Sequence, residues 1–124
     1  MNTINSISVN ANSGIDFYLL LGDFLDEYYR ASEQEKSEML RVAPVDMDNP
    51  EYVPFLAATA HKLSNDYGLT PPAWVFDRRT YLPGREPFFA CNANGNLRLL
   101  FMYKSPSEFK HRNLFVDENV LTRV

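Results

Sequence analysis

Apolar side chains recur at three- and four-residue steps through most of the first half of the chain, and proline interrupts that rhythm in the second half. Phe17, Leu21, Phe24 and Tyr28 mark one face of a helix predicted over residues 13–31. Tyr18, Leu25 and Tyr29 widen the stripe, and Asp23, Asp26 and Glu27 lie mainly off it. Ser13 is the expected N-cap, with Asp16 three residues on. Ser32-Glu33-Gln34-Glu35 is a capping-box pattern that starts a second helix, ending before Pro44. Its apolar edge, Met39, Leu40 and Val42, is thin, so this helix should be peripheral, with a loop over residues 45–49 after it.

Asn49-Pro50-Glu51 predicts a third helix start with proline in the first position, where its missing N–H costs nothing. Pro54, about one turn in, predicts an irregular opening turn. Val53, Leu56, Ala57, Ala60, Leu63 and Tyr67 then form a helical stripe up to Gly68, a good C-terminal stop. Ala57, Ala58 and Ala60 leave room for a close neighbour. Residues 69–87 are rich in proline and aromatic residues and read as an ordered, extended segment anchored by Trp74, because Pro71-Pro72 disfavours helix at the residue before each proline.

Residues 87–103 admit two readings. Asn94-Gly95 is a hairpin signal. Leu97, Leu100, Phe101 and Lys104 suit a short helix over residues 96–104, which is the reading adopted. Ser105-Pro106-Ser107-Glu108 opens a two-turn helix with Ser105 as N-cap, Pro106 at the first position and Phe109 as apolar anchor. Asn113 is expected to end it in the left-handed conformation. Leu114-Phe115-Val116 is extended, and Asp117 caps a last turn over residues 118–123. Residues 1–12 carry no Lys or Arg and no apolar block, so they are neither a signal peptide nor a core element, and read as a disordered N-terminal tail. The fold class expected is mainly α: a single globular domain over residues 13–124, with the Pro-rich segment and short C-terminal helices packed on the long ones. The alternative is α+β with one hairpin at about 87–103.

Composition changes this picture in one respect. With 124 residues, 45% of them apolar, the chain can build one core and is not a disordered sequence. Its apolar runs fall well short of the roughly 20 residues of a membrane span, so no membrane association is expected. The net charge of −4 is unevenly spread. Residues 1–67 hold 11 acidic and 4 basic side chains, and residues 68–124 hold 5 acidic and 8 basic ones. No direct DNA binding is expected of such a chain, since phosphate contacts need concentrated positive charge. The basic half, including Arg78, Arg79, Arg85, Arg98, Lys104, Lys110 and Arg112, either faces an acidic partner or neutralises the acidic half across the fold.

Candidate chemistry is sparse. The five glycines have no phosphate-loop spacing, and no nucleophile-elbow pattern is present. Cys91 is the only cysteine, and it reads as a buried or half-buried bystander in a cytoplasmic protein. His61 and His111 belong to no ligand-spaced cluster, so neither a metal nor any other cofactor is expected. His61 reads as a boundary residue making one hydrogen bond, and Asp46 and Asp48 carry no metal signature. The best polar cluster is His111-Arg112-Asn113 with Asp117. There Arg112 is either a bidentate clamp on a partner's carboxylate or phosphate, or an internal clamp on helix-end carbonyls or Asp117. Asp77-Arg78-Arg79 offers the same choice between internal pairing and a contact patch.

Pro72-Ala73-Trp74-Val75, then Tyr81-Leu82 with Pro87 and Phe88, then Ser105-Pro106, Phe109-Lys110 and Arg112-Asn113-Leu114-Phe115-Val116 form a recurring pattern. It resembles that of a family of small bacterial proteins, over about residues 50–124. The resemblance implies a gene neighbour that looks like a nucleotidyltransferase, an arrangement similar to two-gene toxin–antitoxin or phage-defence modules. Some members look to carry an added DNA-binding helix-turn-helix, for which this chain has no room. The resemblance supplies no catalytic residues. The function expected is therefore a non-enzymatic interaction subunit, antitoxin-like, binding its partner through Arg79, Lys110, Arg112 and Trp74. The alternative is an accessory domain with a small-molecule or nucleotide pocket between the Trp74 segment and the C-terminal helices. A small enzyme using His111, Arg112 and Asp117 ranks last.

Overall fold

The computed structural model describes residues 1–82, 88–89 and 104–122. It is mainly helical, as the periodicity predicts. Helices α1 (Ile4–Asn12), α2 (Phe17–Tyr28), α3 (Glu33–Arg41) and α4 (Tyr52–Asp66) are followed by two 3-10 turns (Ala73–Phe76 and Arg78–Thr80). A two-residue strand β1 (Phe88–Phe89), a one-turn helix α5 (Ser107–Lys110) and a second short strand β2 (Leu114–Phe115) complete the order.

The N-terminal segment departs most from expectation: it is α1, not a disordered tail. Thr3 and Ser6 form a capping box, and Ile4 and Ile7 are buried in the core. The Asn and Ser side chains that make the segment look like a tail have a structural task. Asn5 Nδ2 donates to Ala43 O, the Ser8 hydroxyl accepts from Val45 N–H, and Asn12 Nδ2 donates to Asp46 O, each at 2.9 Å. Residues 5, 8 and 12 share one helical face, so α1 holds the α3–α4 loop along its length. Ser13 closes α1 rather than opening the next helix. Gly14, at φ 103°, makes the turn, a conformation that side chains with a Cβ rarely adopt. Asp16 is the cap of α2, accepting Leu19 N–H at 2.9 Å.

Helix α3 starts at Ser32 with the expected capping box. It contributes Met39 and Leu40 to the core, while Val42 is exposed. Lys36 is buried with them; its ammonium donates to Ala31 O and lies 4.9 Å from the Tyr67 ring centroid and 5.3 Å from that of Tyr28. Ring faces and a carbonyl thus offset its desolvation.

Helix α4 starts at Tyr52, after a turn in which Asn49 Oδ1 accepts Glu51 N–H. Pro54 does not disturb it. As the third helical residue it falls among the first amides, which have no intrahelical acceptor in any helix. Every residue from Val53 to Ala60 is buried, so α4 is the central helix. Gly68, at φ 68°, ends it, with Leu69 N–H donating to Ser64 O at 2.8 Å.

The Pro-rich segment is ordered but not extended throughout. Pro72 presets the backbone for the first 3-10 turn, and Val75 N–H donates to Pro72 O. The Thr80 hydroxyl then closes both turns onto Val75 O and Asp77 O. Proline disfavours helix at its own N–H and at the residue before it, and ten residues without proline follow Pro72. Ser105 is not the cap of α5. Its hydroxyl donates to Val116 O and accepts Val116 N–H, both at 2.8 Å. Asn113 does adopt the left-handed conformation, at φ 64°, and Asp117 Oδ1 accepts Asn119 N–H in the final turn. Strand β1 pairs in parallel with β2, a long-range bridge. The expected helix over residues 96–104, its hairpin alternative at 87–103 and Cys91 lie outside the described residues. No helix among the described residues is long and apolar enough to cross a membrane.

Candidate functional site

Helix α5 has one apolar anchor, Phe109, which packs edge-on against Phe55 of α4. Three residues later Arg112 follows it inward. Only 1% of Arg112 is exposed. Its Nη1 donates to Glu108 O at 2.8 Å, and its Nη2 to Val75 O at 2.7 Å. Nη1 also meets His61 Nδ1 at 3.2 Å, and the Tyr81 ring lies 4.8 Å from Cζ. The guanidinium therefore ties α5, the first 3-10 turn and α4 together. Its contacts are carbonyls and rings, and burial lowers its pKa while Tyr81 and Glu108 oppose that shift.

A guanidinium has only N–H donors. The contact with Arg112 thus assigns His61 Nδ1 as acceptor and places the imidazole proton on Nε2. Burial lowers the His61 pKa first, and the Arg112 charge lowers it further, with Glu108 opposing. The far side of the imidazole is covered by Phe76, edge-on at 5.2 Å. Burial also acts to raise the Glu108 carboxyl, but the 2.8 Å bond from Asn65 Nδ2, the helix backbone and Lys62 outweigh it, leaving the carboxyl below its ordinary value.

This geometry makes a pH prediction. The unfolded chain takes up a proton on His61 near pH 6.5, while the folded protein resists it. Stability from this site is fully present above about pH 6.5 and is lost as pH falls through the lower folded value. The expected result is a falling denaturant midpoint between about pH 6.5 and 5, above the range where carboxylates titrate. In His61→Gln that slope should be much reduced, because a glutamine carbonyl can accept from Arg112 without titrating. An undiminished slope would place the titration elsewhere.

The sequence-predicted site residues do not form one surface. Arg112 is the internal clamp, and it reaches His61 rather than His111 or Asp117, both of which are exposed. Trp74 is 8% exposed and donates from Nε1 to Leu40 O at 2.9 Å, so it supports the fold from below. Arg79 is on the surface, paired with Asp46 Oδ1 at 3.0 Å and with Pro44 O at 2.9 Å. Lys110 is half-buried. The structure adds two residues that charge and motif reasoning miss. Phe76, 54% exposed, rests on His61, and Tyr81, 38% exposed, rests on Arg112. Their aromatic character is visible in the sequence, but nothing local shows that one projects outward over His61 and the other over a buried arginine.

Two depressions among the described residues have linings that include no residue of the Trp74 segment or the C-terminal helices, where the alternative reading places a ligand pocket. One, of about 390 Å³, lies between the α1–α2 turn and the α3–α4 loop. The other, of about 380 Å³, is lined by residues such as Glu27, Arg30 and Glu35. Among the described residues, no group of three His, Cys, Asp or Glu side chains is placed to hold a metal ion.

No family model, curated protein or solved structure matches this chain.

Proposed function

We propose that this protein is a non-enzymatic interaction subunit that binds another protein over the face formed by Phe76 and Tyr81. The observation that supports this reading is that two large aromatic rings project to solvent from a fixed base. Aromatic side chains are enriched at the centres of protein interfaces, and little entropy is lost in ordering a ring that is already held. Phe76 is held by His61, and Tyr81 by Arg112. Arg79, from the second 3-10 turn, and Lys110, at the end of α5, are proposed to supply the rim, while Arg112 and Trp74 act beneath it. The resemblance of the Pro72–Val116 pattern to proteins paired with a nucleotidyltransferase-like neighbour makes such a protein the proposed partner, masked in the manner of a toxin by its antitoxin.

The test is affinity capture from the native host with wild type, Phe76→Ser and Tyr81→Ser, read by mass spectrometry. The expected result is stoichiometric recovery of one nucleotidyltransferase-like protein by wild type. Recovery should fall roughly tenfold or more with either variant, as for central contacts, while thermal midpoints stay close to wild type. Equal recovery by all three proteins would remove the partner from this face, and a different captured protein would remove the antitoxin-like assignment.

A further inference from the structure

The acidic half of the molecule has a surface of its own. The 390 Å³ groove is lined by Asn12 and Gly14 from the α1–α2 turn, by Asp46, Asp48 and Asn49 from the α3–α4 loop, and by Tyr52. Tyr52 is a rigid wall, because its ring stacks on that of the buried Phe17 at 3.9 Å between centroids and 4° between planes. Tyr18 continues the surface: it is exposed and meets Tyr52 edge-on at 6.1 Å. Partial burial, then the neighbouring Tyr52, Glu51 and Asp16, hold the Tyr18 hydroxyl above its ordinary pKa. Ile15 and Leu19, also exposed, flank Asp16 in the chain. The groove and its tyrosine rings thus carry Asp46 and Asp48 in the lining, with Asp16 and Glu51 next in the chain to the stacked Phe17 and Tyr52.

We propose that this groove is a second docking surface, which takes a basic segment of a partner protein carrying arginine beside an aliphatic residue. Charge complementarity selects the occupant. Asp16, Asp48 and Glu51, beside an Asp46 already paired with Arg79, leave an acidic surface that repels nucleic acid and anionic lipid and attracts a cation. Tyrosine faces favour a planar guanidinium over a carboxylate. The molecule itself offers a template at the groove's edge, where Arg79 pairs with the Asp46 carboxylate and reaches past it to Pro44 O. Ile15, next in the chain to Gly14 of the lining, and the exposed Leu19 are the apolar surface proposed for the aliphatic neighbour. This surface is independent of the proposal for Phe76 and Tyr81, and either can fail alone.

The test uses the full chain and three synthetic twelve-residue peptides: alternating Arg-Leu, alternating Arg-Ser and alternating Glu-Leu. Binding is followed by fluorescence anisotropy and by amide chemical shifts of the wild-type protein. The Arg-Leu peptide is expected to bind roughly tenfold or more tightly than Arg-Ser, Glu-Leu not to bind, and shifts to concentrate at residues 12–19 and 46–52. Asp48→Asn and Tyr18→Ser should each weaken Arg-Leu binding several-fold with unchanged thermal midpoints. Shifts centred elsewhere, equal affinity for Arg-Leu and Arg-Ser, or no binding would overturn the proposal. So would a self-associated protein whose dissociation by Tyr18→Ser is what opens the groove. Because the shift map needs no variant, a poorly folded variant leaves the proposal testable.

Discussion

Replacing Arg112 by alanine is expected to lower folding stability by about 3–5 kcal/mol, because it empties the space of a large buried side chain and strips three acceptors of their donors. Truncation leaves Glu108 O, Val75 O and His61 Nδ1, part-buried or buried, without their donors. Each unsatisfied acceptor costs on the order of 1–3 kcal/mol, and these costs overlap rather than add. Arg112→Lys should recover little. A single ammonium has no planar fork, and it cannot reach Glu108 O and Val75 O in the directions that Nη1 and Nη2 point. Urea unfolding of the three proteins is the measurement. A wild-type midpoint for Arg112→Ala would contradict the clamp and return this arginine to the list of contact residues.

Trp74→Ala should be of similar size, about 3–5 kcal/mol, as for other buried aromatic truncations. Trp74 fills space in the core, and its Nε1 also satisfies Leu40 O. That carbonyl belongs to the last turn of α3, where helix carbonyls have no partner within the helix. Trp74→Phe separates the two contributions, since it retains most of the ring and loses the donor. It is expected to cost about 1–3 kcal/mol. If Trp74→Phe and Trp74→Ala were equally harmful, the hydrogen bond rather than the packing would be the main role of this residue.

Features set by a few adjacent residues are legible in the sequence, and those set by distant residues are not. The capping box at Ser32, the left-handed Asn113 and the stop at Gly68 each depend on local backbone chemistry, and each stands where the sequence places it. The first long helix shows the limit of that reasoning. Ser13 and Asp16 are both competent caps, and it is the turn at Gly14 that separates their roles. Helix α1 is legible only in part, because Ile4, Ile7 and Ala11 form a thin stripe among polar residues. Its polar residues are committed to carbonyls and an amide over thirty positions away. The site around Arg112 is of the same kind. Internal clamping is foreseeable from residue type, but its partners lie 51 and 37 positions off, and no spacing rule connects His61, Val75 and Arg112.

The enclosure of α4 also bears on how the chain is made. From Val53 to Ala60 the helix presents no side to water, and much of what covers it, Trp74, Val75, Phe109, Leu114, Val116 and Leu121, lies later in the chain. During synthesis, therefore, α4 leaves the ribosome with several bare apolar faces and keeps them until residues 105–121 follow. A nascent chain halted before that point is a natural client for a holdase chaperone and a substrate for proteases. In the finished protein the same enclosure implies that no small fluctuation uncovers α4. Its amides from Leu56 to Ala60 should exchange with deuterium only through opening of the whole molecule, giving the same free energy as urea unfolding.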